Sequence, residues 1–247
     1  MSKVARKMGL FYKFSKIEDG NMSYVFGSAE EITRNRKVFL AKYNIDTDQC
    51  VGAYLTHSKK VAIADKDLVG VSVTNVYKMP RVDGLLTDQK NLFILMTFAD
   101  CLPVILYDPV RRVAGLIHAG WKGTEKNIVG VAVKKMVDVY KSKPEDVKVD
   151  FGPCVTKESY IFENPIKTKL ANKKLWKSYL DNVGDGKYSI DLVRFNTENL
   201  ISEGVSEKNI RASGVNTGTS GVMYSHYRDS RSKTGDVGRF AVVVGMR

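Results

Sequence analysis

Three runs of apolar residues dominate the middle of the chain: Leu92-Phe93-Ile94-Leu95-Met96, Val104-Ile105-Leu106-Tyr107 and Val113-Ala114-Gly115-Leu116-Ile117. Each is too short for a helix and unbroken by polar residues, the pattern of strands buried on both faces. Tyr107-Asp108-Pro109 joins the last two as a hairpin link. Shorter strands are predicted at Val51–His57, at Val61-Ala62-Ile63, at Val147–Phe151 ahead of Gly152-Pro153, at Ile210-Arg211-Ala212 and at Ala241–Val244. Gly84-Leu85-Leu86-Thr87-Asp88 reads as a turn into the first core strand. Within residues 1–28, Phe11, Phe14, Met22, Tyr24 and Phe26 flank Glu18-Asp19-Gly20-Asn21, which predicts a strand pair with a tight turn. The period then lengthens in four places. Ser28 caps a helix running to about Tyr43, with Phe39 and Leu40 inward. Thr124 caps another to about Lys141, with Ile128, Val131, Val133 and Met136 as its apolar stripe. Lys167, Trp176 and Leu180 mark a third, and Asp191–Glu203 a fourth.

Strands and helices alternate irregularly, without repeat, low-complexity stretch or long linker. The expectation is an α/β chain of the α+β type. It forms one domain over residues 1–247, with mixed β-sheets flanked by helices. At 247 residues the chain is long enough to bury a core without covalent staples.

Lys and Arg number 39 against 27 Asp and Glu, a net charge of +12. That balance favours anionic partners such as phosphate esters and nucleotides. The lysines are scattered and no helix-turn-helix or RNA-recognition signature is present, which argues against sequence-specific nucleic-acid binding. Cys50, Cys101 and Cys154 are an odd, widely spaced set, the signature of a reducing compartment rather than of a disulfide framework. The N-terminus is basic but lacks an apolar segment, and no stretch approaches the roughly 20 apolar residues of a membrane span. A cytoplasmic protein with no membrane partner is expected.

Chemistry concentrates at Ala99-Asp100-Cys101-Leu102-Pro103 and His118-Ala119-Gly120-Trp121-Lys122-Gly123. Cys101 and His118 lie 17 residues apart, each at the end of a buried strand. A thiolate and an imidazole so placed fit zinc or copper. Gly120 and Gly123 allow close backbone approach. The chain has three histidines: His57, His118 and His226. Taken alone, His57 is more commonly a structural imidazole and Cys101 a buried apolar thiol. Two His and one Cys with an open fourth position match a catalytic zinc site, and such a site lies at strand ends.

Thr97-Phe98-Ala99-Asp100-Cys101-Leu102-Pro103-Val104 followed by Ala114-Gly115-Leu116-Ile117-His118-Ala119-Gly120-Trp121-Lys122-Gly123-Thr124 resembles the laccase-domain, or polyphenol oxidase-like, family, whose members include purine nucleoside phosphorylases. Val82-Asp83-Gly84-Leu85-Leu86-Thr87 and Phe151-Gly152-Pro153-Cys154 with Tyr160 are similar to flanking family segments. The resemblance implies a metal site of His57, Cys101 and His118. Around His57 the chain departs from it: Leu55 stands in place of a Gln and Ser58 in place of a Gly. Further departures are a shortened loop at Phe26-Gly27-Ser28 before Arg34-Asn35-Arg36, Asn216-Thr217 in place of Cys-Thr, Ser225-His226-Tyr227-Arg228-Asp229 in place of Ser-Tyr-Arg-Arg-Asp, and an interrupted Thr-Gly-Arg at Thr234-Gly235 and Gly238-Arg239.

What the resemblance implies is a Zn2+-dependent purine nucleoside phosphorylase with adenosine deaminase and methylthioadenosine phosphorylase activities, acting on a purine nucleoside and phosphate. Arg36, Lys122, Arg228 and Arg239 are then candidate phosphate partners, each also readable as a solvated charge. Asp100 and Asp83 are candidate proton shuttles; Asp100 reads equally as a carboxylate that orients a ligand. Trp121 is a candidate for stacking on the base, or a core tryptophan. Three alternatives stand beside this reading. Copper-dependent polyphenol oxidation with Cu2+ is opposed by the histidine count, since a four-copper centre needs far more than three. The others are hydrolytic editing of peptidoglycan precursors and a non-catalytic zinc-stabilised binding domain.

Overall fold

The structure, a computed structural model, describes residues 9–163, 173–232 and 237–247. Period-two alternation along the long strands builds its layers. In β5 (Phe93–Phe98), Ile94, Met96 and Phe98 enter one core while Phe93 and Leu95 enter another. In β13 (Phe240–Met246), Phe240, Val242 and Val244 share the first core, and Ala241 and Val243 the second. β6 (Leu102–Asp108) and β7 (Val113–Ala119) divide likewise: Ile105, Tyr107, Ala114 and Leu116 face the first core, and Val104, Leu106, Val113 and Ile117 a third. Every residue of β6, β7 and β13 is buried.

Two sheets result, packed face to face through the first core. One is ordered β1-β13-β5-β2, with β1 at Leu10–Phe14 and β2 at Cys50–Gly52. The other is ordered β12-β8-β6-β7-β4-β3, with β3 at Val61–Ile63, β4 at Gly84–Thr87, β8 at Lys148–Phe151 and β12 at Ile210–Ala212. Both are mixed: β2–β5, β3–β4 and β8–β12 are parallel pairs and the rest antiparallel. Helix α1 (Ala29–Ala41) covers the outer face of the first sheet through Phe39 and Leu40. After the short helix α2 (Val71–Thr74) and a turn of helix α3 (Trp121–Glu125), helix α4 (Ile128–Tyr140) covers the second sheet through Val129, Ala132, Val133 and Met136. A small antiparallel sheet, β10-β11-β9 (Leu180–Gly184, Lys187–Ile190, Ile161–Glu163), sits beside a fourth cluster. There Trp176 of α5 (Lys173–Trp176) packs on Leu192 and Phe195 of α6 (Leu192–Ser202). The last helix, α7, is His226–Asp229. Among the described residues no helix is long and apolar enough to cross a membrane.

Several local expectations change. The N-terminal strand pair does not form: β1 pairs instead with β13, Leu10 opposite Met246, because the C-terminal strand offers a complete antiparallel edge. Gly84–Thr87 is a buried strand rather than a turn, held between β3 and β7. The strand expected over Val51–His57 stops at Gly52, since the next N–H groups find other acceptors: Tyr54 donates to the Pro80 carbonyl and residues 56–58 to Asp83. The helix expected from Thr124 breaks at Asn127, which adopts a left-handed conformation and caps α4 through its side chain. Leu180 begins a strand rather than ending a helix, and the part of that segment between 164 and 172 lies outside the described residues.

Candidate metal centre and cavity

His118 is the sixth residue of β7 and lies on the same face as Ala114 and Leu116, toward the opposing sheet. Its partner across the ladder is Pro103, so the adjoining positions Cys101 and Gly120 meet just beyond the paired strands. A Cβ on Gly120 would lie 2.8 Å from the Cys101 sulfur, which requires glycine there. Asp100 adopts a left-handed backbone, φ 79°, at the turn that delivers Cys101.

His57 arrives on a loop wrapped around one carboxylate. Asp83, completely buried, accepts hydrogen bonds from the N–H groups of Thr56 (3.1 Å), His57 (2.9 Å) and Ser58 (2.7 Å), and from both hydroxyls of that loop. It also lies 3.0 Å from His118 Nδ1, and its carbonyl accepts the His118 N–H at 2.7 Å. One side chain thus fixes the loop carrying one imidazole and the ring of the other. With Nδ1 held by Asp83, His118 presents Nε2 to the third ligand.

The electrostatics follow. Burial opposes ionisation of Asp83, but the bonds from His118 and Ser58 hold its carboxyl well below the usual carboxylate range. Burial likewise pushes the Cys101 thiol up, and the neighbouring charge of His118 with hydrogen bonds from both imidazoles more than offsets it, bringing it down to about 6. Burial pushes His118 down, while the Cys101 and Asp83 charges raise it to about 9. The two imidazoles thus favour the thiolate of Cys101, the form that binds metal.

The ligand atoms of His57, Cys101 and His118 all lie within 4.8 Å of one another, and the Cys101 sulfur is 4.0 Å from His57 Nε2. A tetrahedral ion with bonds of about 2.0–2.3 Å needs ligand-to-ligand edges of roughly 3.3–3.8 Å. A small contraction closes the set around an ion. The donor chemistry fits as well: two imidazoles, a thiolate and a carboxylate behind one imidazole suit zinc, and the same donors accept copper.

The three ligands line a cavity of about 320 Å³. Its walls include Tyr24, Phe26, Tyr54 and Phe98, with Arg36, Arg239 and His226. The structure brings Arg36 and Arg239 to this cavity with the ligands, but uses them differently. Arg36 is buried beneath the Tyr24 ring and donates to the Met22 and Val73 carbonyls. Arg239 stacks over the Phe26 ring, 4.4 Å from its centroid. Trp121 and Lys122 are not among the lining residues; Trp121 packs against the Trp176 cluster, with the Lys122 amine over its ring. Arg228 is absent from the walls too. It donates to the Thr217, Ser220 and Met223 carbonyls and pairs with Asp229. Asp100 accepts from the Thr217 hydroxyl at 2.7 Å and the Tyr227 N–H at 2.6 Å, tying the segment 217–229 to the cysteine turn. Thr234 and Gly235 lie outside the described residues. The sequence reading missed Tyr24, Tyr54 and His226 as cavity walls. For His226 a signal existed: it is one of three histidines, within a segment that departs from the resembled motif.

Comparison with known proteins agrees with this architecture. Purine nucleoside phosphorylase YlmD of Bacillus subtilis is 29% identical over 235 residues, covering 91% of this chain and 80% of the relative. Purine nucleoside phosphorylase SERP0752 of Staphylococcus epidermidis is 29% identical over 214 residues, covering 86% and 80%. The Bacillus licheniformis protein YfiH superposes with a TM-score of 0.86 at 26% identity, over 96% of this chain and 93% of that one. YlmD of Geobacillus stearothermophilus shares the fold, with a TM-score of 0.87 at 24% identity over 97% and 92%. The family model described as multi-copper polyphenol oxidoreductase laccase matches residues 6–247, and the chain belongs to that family.

Proposed function

We propose that this chain is a zinc-dependent purine nucleoside phosphorylase whose reaction takes place in the cavity beside His57, Cys101 and His118. The observation that carries the reading is the convergence of those three ligands, within 4.8 Å, in the lining of an aromatic-walled cavity. The relatives named purine nucleoside phosphorylase support the substrate class. Copper oxidation of the four-copper kind lacks its ligands, because the whole chain holds three histidines.

Phosphorolysis forms a bond from a phosphate oxygen to C1′ of the ribose and breaks the C1′–N9 bond. The purine leaves with the electron pair and takes up a proton. Zn2+, when bound, would be held by His57, Cys101 and His118 and would supply a Lewis acid beside the cavity. The chain's residues do the rest. Tyr24, Phe26 and Tyr54 offer ring faces for the purine. Arg239 offers charge to phosphate. Phe98 and the apolar walls limit competing water. In this reading Asp83 and Asp100 are positioning residues: Asp83 orients His118 and the His57 loop, and Asp100 anchors the segment carrying His226.

Incubation of the zinc-loaded protein with adenosine, inosine or methylthioadenosine, with and without phosphate, tests the proposal. Phosphate-dependent release of the free base, lost in Cys101→Ala and after chelation, is expected. The same chromatogram reports inosine from adenosine, the product of deamination. No product from a folded, zinc-loaded protein would refute the enzyme reading.

A further inference from the structure

Four short segments, 23–26, 54–60, 76–81 and 226–231, together with Arg239, contribute lining residues to the cavity. Their charge is one-sided. They carry Lys59, Lys60, Lys78, Arg81, Arg231 and Arg239, and the one acidic residue among them, Asp229, is paired with Arg228. Among the described residues none of the six cations forms an ion pair. All are exposed except Arg239, which is half-buried. Their excess of six positive charges is half of the chain's net +12. Lysines and arginines that are scattered along the sequence thus meet in the fold as one positive face.

The same segments expose rings. Tyr77 is 92% exposed and Phe26 40%, with Val25 beside it at 63%. Tyr77 belongs to none of the hydrophobic clusters, and its hydroxyl has no hydrogen-bond partner among the described residues, so packing gives no reason for a large ring there. Three of the six cations lie over aromatic rings. Arg81 is 4.8 Å from the Tyr54 centroid, Arg231 3.8 Å from that of Tyr227, and Arg239 4.4 Å from that of Phe26. Unpaired positive charge and flat, exposed π surface therefore occur together on one face.

We propose that this face binds single-stranded nucleic acid without regard to sequence. The unpaired lysines and arginines neutralise backbone phosphates, and Tyr77 with the guanidinium-covered rings gives unpaired bases a surface to stack on. A duplex hides the faces of its bases and would meet the charges alone. An acidic protein would use the charges and gain nothing from Tyr77. The lack of a helix-turn-helix or RNA-recognition signature agrees with this mode, because phosphate and stacking contacts read no base edge. The inference goes beyond the phosphorylase reading and does not depend on it, since neither the metal ligands nor any nucleoside takes part.

Fluorescence anisotropy of the zinc-loaded protein tests this, with a labelled mixed-sequence single strand of about 12 nucleotides, its duplex, and polyglutamate as competitor. The single strand is expected to bind roughly tenfold more tightly than the duplex, the scale of one stacked base. Tyr77→Ser lowers single-strand affinity roughly fivefold or more and leaves duplex binding unchanged. Lys59→Gln, Lys60→Gln and Lys78→Gln weaken both, and each lowers the slope of log affinity on log salt for the single strand by about 0.7. Lys208→Gln, in the turn before edge strand β12, changes neither. All five side chains are exposed, so the fold is expected to hold. No binding at about 50 mM salt, equal affinity for strand and duplex, or single-strand binding indifferent to Tyr77→Ser overturns the inference. Polyglutamate that displaces the strand at equal charge concentration also overturns it, in favour of an acidic protein partner. Nucleoside turnover is not read. An inactive protein that binds the strand through Tyr77 keeps this surface, and an active phosphorylase that does not bind it loses this surface alone.

Discussion

Asp83→Ala removes the one acceptor that organises both imidazole ligands. Three backbone N–H groups, of Thr56, His57 and Ser58, lose their partner, together with two hydroxyls and the His118 ring. Thr56 and His57 are exposed, so water replaces part of what is lost. Counting about 1 kcal/mol for each backbone donor and nothing for the hydroxyls gives a loss of about 3 kcal/mol. For a chain of this size about 1 kcal/mol moves the melting temperature by roughly 2–4 °C, so a fall of about 6–12 °C is expected. Zinc affinity should fall by about 10–100-fold, the usual effect of deleting a carboxylate behind a metal-bound imidazole. Differential scanning fluorimetry and competition with a zinc chelator measure the two effects on the same samples. A variant that melts within about 2 °C of wild type and binds zinc normally would refute the view that Asp83 builds the site.

The Asp83 carboxyl also sets an acid limb. Its depressed folded-state pKa contributes stability above the unfolded carboxylate value of about 3.9, lost as pH falls below it, so the melting-temperature gap between wild type and Asp83→Asn should narrow there. In chelator-treated protein, Cys101 should be alkylated with a midpoint near pH 6. Cys154, pushed up to about 12 by burial, and Cys50, pushed up further, should stay unmodified; peptide mass spectrometry with and without zinc shows whether the metal protects Cys101 alone. Gly120→Ala should cut zinc stoichiometry well below one ion per chain while leaving the fold intact, because its Cβ would lie 2.8 Å from the Cys101 sulfur; circular dichroism and metal analysis together check this. Arg228→Met should loosen the segment 217–229 rather than remove a cavity wall, raising proteolysis there before any change in phosphate affinity.

The chain's local chemistry determines the central strands and the two strongest ligands. Uninterrupted apolar runs around 93–98, 102–108 and 113–119 leave no alternative to burial, and the Asp108 turn closes β6 on β7 through bonds from Val110 and Arg111. Cys101 and His118 stand at the ends of those runs and so are legible as a pair. Helix starts with short-range caps are legible too: Ser28 caps α1 as expected, and the helix expected from Asp191 does start there, with the Asp191 side chain as its cap. Everything that depends on distant partners was decided by the tertiary structure. β1 chose β13, 230 or so residues away, over a local hairpin, since edge pairing leaves no trace in the strand's own residues. The residues after Gly52 read as more strand, yet Asp83 captured the N–H groups of residues 56–58 and His57 came to lie beside Cys101 and His118. Nothing local distinguishes Arg239 from Arg36 or Arg228 either. All are arginines near apolar or aromatic residues, and only folding decided which met several backbone carbonyls and which lies over Phe26 in the cavity lining.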